Sequence, residues 1–127
     1  MKRHTPNTIR RPFANYAHAV EIPAGMRLLV LSGQLGIGPD DAVPADAEGQ
    51  AALCFANIDA ILKEAGADKS AIVRLNAYVS GREHLAGYMA ARDRYVADPA
   101  PASTLMVVTG FAREAFFVEV EALAALP

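Results

Sequence analysis

Residues 27–32, Arg-Leu-Leu-Val-Leu-Ser, are a short apolar run with turn residues on either side, Pro23 and Gly25 before it and Gly33 after it. A run of this length and flanking reads as a strand buried on both faces. Such a strand needs a layer of structure against each face. The preceding stretch Tyr16–Ile22 alternates apolar and polar positions, so the two segments are expected to pair as a hairpin. Gly36, Gly38, Pro39 and Pro44 then mark residues 33–45 as a loop.

Helical periodicity follows. Cys54, Ile58, Ile61, Leu62 and Ala65 fall at i, i+4, i+7, i+8 and i+11, which predicts one apolar stripe on a helix over 46–65. Gln50, Asn57, Asp59 and Lys63 fall off that stripe, and Gly66 suits the position after the helix end. Residues 71–79 alternate, with Val73, Leu75, Ala77 and Val79 on one face of a strand. Ser80-Gly81-Arg82-Glu83 reads as a capping box opening a second helix that carries Leu85, Tyr88, Met89, Tyr95 and Val96. Asp98-Pro99 closes it. Residues 104–109 and 116–124 read as two further strands around a turn at 110–114.

The expected order is β-β-α-β-α-β-β, an α+β sandwich with one sheet and two helices on one face. The other sheet face, which includes Ile72 and Tyr78, is partly apolar and is expected to meet further copies of the chain. With 127 residues this is one domain, residues 16–127, preceded by an irregular arm over 1–15. Hydrophobic residues are 53% of the chain, which excludes disorder, but 26 of them are alanine. Few large side chains are left for the core, a further pointer to self-association.

Charge and cysteine narrow the function. Lys2, Arg3, Arg10 and Arg11 sit in the arm; without them eight positives face 14 acids. An acidic body argues against a nucleic-acid surface. No apolar stretch approaches the ~20 residues of a membrane span, and none follows the arm as in a signal peptide, so a cytoplasmic chain is expected. Cys54 is the only cysteine and lies on the helical stripe, so a buried small side chain is the reading, without a disulfide. His4, His18 and His84 form no metal-ligand spacing, so no metal is expected.

The last strand carries the strongest chemical signal. Glu119 and Glu121 share a face with Phe117 and Leu123, opposite Phe116, Val118, Val120 and Ala122. Carboxylates two residues apart on a strand stand about 7 Å apart. A half-buried glutamate there can orient a water or act as a base; an exposed salt-bridge face is the plainer alternative. Ser32, at the end of a buried strand, can line a cleft or form a turn, and Tyr16 lies where the arm joins the domain.

Taken together, Tyr16-Ala17-His18-Ala19-Val20, Val30-Leu31-Ser32-Gly33-Gln34, Ala56-Asn57-Ile58 with Ala65-Gly66, Leu75-Asn76-Ala77-Tyr78-Val79 and Val118–Ala124 resemble the Rid (YjgF) family. These are reactive intermediate deaminases, formerly labelled endoribonuclease L-PSP. The resemblance implies a chorismate-mutase-like (ferredoxin-like) sandwich, a homotrimer, and small-molecule clefts between subunits with no cofactor. It implies hydrolysis of an imine or enamine to a 2-keto acid and ammonia. Glu119 would position the water, and Tyr16, Ser32, Ser103 and Thr104 would line the cleft.

The family's arginine has no counterpart, because Pro101-Ala102-Ser103-Thr104 carries Ser103 where the arginine would stand. An asparagine of the second helix is matched by Met89. Three outcomes are open: Arg113 or Arg74 supplies a guanidinium from elsewhere, the substrate lacks a carboxylate, or the cleft binds without catalysing. The alternative is a non-catalytic binding module of the same fold, with ribonuclease activity the weakest fit.

Overall fold

A computed structural model describes residues 1–127. Two helices, α1 (Ala47–Glu64) and α2 (Leu85–Tyr95), cover one face of a mixed four-stranded sheet. Its strands are β3 (Arg27–Leu35), β4 (Ile72–Val79), β5 (Ala102–Val107) and β6 (Val118–Leu126), in the order β3-β6-β4-β5. β6 runs antiparallel to both β3 and β4, whereas β4 and β5 are parallel. A parallel pair needs a crossover, and α2 supplies it.

α1 begins where Asp46 accepts a 2.7 Å hydrogen bond from Gly49 N. It ends at Gly66, whose φ of 76° is the left-handed conformation that glycine adopts without strain. Cys54, Ile58 and Leu62 are fully buried against Leu75, Ala77, Val79, Val118 and Val120. The predicted α1 stripe and the β6 alternation are therefore both present. Gln50, expected off the stripe, is fully buried on it, four residues before Cys54. Its Nε2 donates to Pro44 O and Ala115 O, and its Oε1 accepts from Phe117 N. One satisfied amide thus ties the loop before α1 to the start of β6.

Several expectations are corrected. The arm is not irregular throughout: β1 (Lys2–His4) pairs antiparallel with β2 (Ala19–Glu21) in a separate two-stranded sheet. β2 and β3 therefore do not form the expected hairpin. The competing partner is the chain start, held by His4 Nε2 to Glu21 Oε2 at 2.7 Å and by Arg3 to Ala100 O and Pro99 O. The capping box does not form: a short 3₁₀ turn, Arg82–His84, precedes α2 with no side-chain cap.

A register shift between Ile72 and Arg74 reverses side-chain parity at the start of β4. Ile72 enters the core, while Val73 lies against β2 beside His18 and Val20. Finally, β3 is covered on one face only. Leu31 is buried under the helices, but Leu28 and Val30 point away from them, and Val30 is 73% exposed.

Candidate functional site

The sheet's helix-free face carries a polar network across three strands. Asn76 opposes Glu121, and Tyr78 opposes Glu119. Tyr78 OH and Asn76 Nδ2 both donate to Glu121 Oε1, at 2.8 and 3.1 Å. Asn76 Oδ1 accepts from Arg74 Nε, and Arg74 Nη2 donates to Thr104 Oγ1, both at 2.8 Å. The Glu121 contact pushes the Tyr78 hydroxyl above its ordinary pKa, because the neighbouring carboxylate opposes a phenolate. Arg74 is therefore engaged in a network, and Arg113 stands exposed in a loop with its guanidinium carbon 5.6 Å from the Phe116 ring centroid.

Glu119 takes no part in that network. Its carboxylate lies over Gly33, where a Cβ would overlap it. A side chain at this position would push the flexible end of Glu119 away from the strand. The β3–β6 register slips between Leu31 and Gln34, so Ser32 and Gly33 form a bulge opposite Glu121, while Glu119 pairs with Leu35 and reaches back over Gly33. Ser32, Gly33 and Glu119 thus make one corner of the sheet, with Ser32 exposed. Behind that corner, Cys54 is buried with Sγ 3.9 Å from Val118 O. Burial, with the nearby Glu119 charge, pushes the thiol up to about 12, which keeps it protonated and unreactive.

A second constellation lies at the opposite sheet edge. Ala17 forms a parallel bridge to Ala102, and Ala17 N donates to Pro101 O at 2.9 Å, so the arm runs beside β5. Between arm, β5 and α2 is a cavity of about 320 Å³, lined by Tyr16, Met89, Arg92, Ser103, Thr104 and Leu105 among others. Tyr16 OH accepts from Phe13 N at 3.2 Å, which folds the arm's last turn over the opening.

The five residues singled out from the sequence therefore fall into two groups. Tyr16, Ser103 and Thr104 share the β5 cavity, while Ser32 and Glu119 share the β3–β6 corner. β4 lies between β6 and β5, and Glu119 is level with Met106, three residues beyond Ser103. Strand spacing and rise put the two backbones about 14 Å apart. The two groups therefore lie at different places on a single chain.

The sequence reading missed Arg92. Its side chain is 3% exposed, and Nε and Nη2 both donate to one oxygen of Asp93, at 3.2 and 3.0 Å. The available signal was position: Leu85, Tyr88, Met89, Arg92 and Tyr95 share the inward face of α2, and a charge on such a stripe is costly unless used.

Known proteins resemble the chain throughout. Residues 8–126 match the model of the family described as endoribonuclease L-PSP. A RutC family protein of Aquifex aeolicus is 36% identical over 70 residues, which span 54% of each chain. A RutC family protein of Pyrococcus abyssi is 26% identical over 116 residues, covering 90% of this chain and 88% of its own. Among solved structures, a protein of the conserved Rid family from Yersinia pestis, of unknown function, superposes with a TM-score of 0.82 at 26% identity. That superposition covers 98% of both chains. RidA from an Antarctic Psychrobacter shares the fold, with a TM-score of 0.73 at 22% identity over 99% of this chain and 100% of that one.

Proposed function

The chain belongs to the endoribonuclease L-PSP family, also called Rid or YjgF, and from that premise we propose that it hydrolyses a small imine or enamine in a cleft between copies of itself. The observation that carries the reading is the split site. Ser32, Gly33 and Glu119 sit at one sheet edge, and Tyr16 with Ser103 sits at the other. A closed ring, such as a homotrimer, lays one edge of each copy against the opposite edge of the next. The exposed Leu28 and Val30 beside the β3 corner supply apolar area for that contact.

The chemistry needs no metal or cofactor. Glu119, not held by Asn76 or Tyr78, takes a proton from water as the oxygen adds to the imine carbon. That proton passes to the nitrogen, which has received the C=N electron pair, giving the carbinolamine. The nitrogen then takes the hydroxyl proton, the C–N bond breaks, ammonia leaves and the C=O bond forms. An enamine first exchanges an N–H proton for a proton at its β-carbon and so enters as the imine. Ser32 and backbone donors of the bulge steady charge developing at the reacting carbon's substituents. A second reading, binding without turnover, is favoured by Ser103 in place of the family arginine. The acidic body of the chain gives no support to RNA as the ligand.

Ammonia release from freshly generated 2-iminobutyrate tests the proposal. Wild type is expected to turn over, and Glu119→Gln to lose about 10²-fold or more. Co-expressed Glu119→Gln and Tyr16→Ala chains should regain about a quarter of the activity, because mixed rings rebuild intact sites from two chains. Inactive wild type overturns hydrolysis, and an active mixture no better than its parents overturns the shared cleft.

A further inference from the structure

Arg92 is the most deeply buried cation of the chain and it lines the β5 cavity. Its neighbours there are the hydroxyl-bearing Tyr16 and Ser103 and the apolar Met89 and Leu105. A guanidinium has five N–H donors arranged as a planar fork. Asp93 takes one donor from Nε and one from Nη2, both on the same side edge and both to a single oxygen. The end edge, formed by Nη1 with the second Nη2 hydrogen, is left for another acceptor pair. That edge matches a carboxylate, which accepts two parallel bonds. Asp93 is half exposed, so it orients the fork from the solvent side without burying a compensating anion.

We propose that Arg92 anchors a small monocarboxylate in this cavity, with Ser103 Oγ as an auxiliary donor. The inference rests on the reading of the cavity as the substrate-holding half of the cleft, and adds that the grip on the carboxylate comes from α2. Ser103 lies on β5 opposite Leu75, a core position, so its side faces the helix layer that carries Arg92. Thr104 is taken up by Arg74 on the other face. The cavity's remaining wall, Met89 and Leu105, suits a short aliphatic chain. Neither Arg74 nor Arg113 lines this cavity.

The test is a titration of the full chain with 2-oxobutanoate, a stable carboxylate of the product class, and with its neutral amide, followed by NMR shifts. Saturable binding of the carboxylate is expected, with the amide at least ~10-fold weaker. Arg92→Gln should weaken carboxylate binding by ~10–100-fold. Arg92→Lys, which keeps the charge but not the fork, should fall between. Arg94→Gln, on the exposed side of the same helix and paired with Glu48, should bind as wild type. If Arg92→Gln does not fold, Arg92→Lys and the amide carry the comparison. The anchor is overturned if wild type fails to bind the carboxylate, if the amide binds equally, or if a folded Arg92→Gln binds as tightly. Carboxylate binding without ammonia release leaves the anchor and removes hydrolysis. Turnover that ignores Arg92 leaves hydrolysis and removes the anchor.

Discussion

The two faces of the four-stranded sheet are made by the same strands and solve different problems. Toward the helices, Leu75, Ala77, Val79, Val118 and Val120 are fully buried against α1 and α2. Toward the other side, Glu121, Asn76, Tyr78, Arg74 and Thr104 are joined by hydrogen bonds, and Leu28 and Val30 lie in the open. The first face is a finished core. The second has polar groups already matched to one another and apolar groups matched to nothing in the chain. The difference teaches that the helix-covered face holds the fold, while the open face and its edges leave side chains that the fold itself does not use.

Leu75→Ala gives the largest expected effect, since it opens a cavity in the finished face. It should cost about 2–5 kcal/mol in urea unfolding. A cost below about 1 kcal/mol would mean that the helices do not close tightly on this face.

Alkaline pH attacks the same face. The Cys54 thiol is raised from 9.0 to about 12 in the folded chain, so above pH 9 the unfolded chain ionises first. This contribution is intact below pH 9 and shrinks by about 1.4 kcal/mol per pH unit as pH rises toward 12. The stability gap between wild type and Cys54→Val should therefore drift in favour of the valine variant above pH 9. An unchanged gap to pH 11 would mean that the thiol is solvated. Burial also raises Tyr88 and Tyr95, which adds to alkaline loss in both variants.

Tyr78→Phe probes the open face. It removes one of the two donors on Glu121 and should cost about 1 kcal/mol or less, because the network is partly solvated. A loss of 3 kcal/mol would make this face a second core.

The same contrast explains what the sequence made legible. Patterns inside one element were readable: the Cys54–Ile58–Leu62 stripe and the alternation from Val118 to Ala124 depend only on local period. The overall sandwich followed from them. The partner of β2 was not readable, because Tyr16–Ile22 alternates whichever strand it meets, and Lys2–His4 lies too far away in sequence to signal itself. Register slips were equally silent. One extra residue at Ser32–Gly33, and another at Val73, reverse parity without altering composition. Glu119 stands out in the sequence because two carboxylates on a half-apolar strand are unusual. Arg92 and Gln50 were not legible because polarity alone gives no sign of burial, although each is buried on the inward face of its helix.

The smallest effect discriminates most sharply between the faces. At concentrations where the chain is a monomer, Val30→Ser should change stability by less than about 0.5 kcal/mol, since its side chain is already in water. At high concentration the outcome should differ. If a second copy covers Leu28 and Val30, the valine contributes only in the assembly, and the variant should melt progressively below wild type as concentration rises. Sedimentation of the same samples should show the variant dissociating at higher concentration than wild type. Melting points that track each other across a hundredfold dilution, with unchanged mass, would mean that Val30 faces solvent in every state. The Glu119 corner would then have to complete its site from a different edge. Coincidence of the concentration effect with recovered activity in mixed Glu119→Gln and Tyr16→Ala chains would tie the open face to the chemistry.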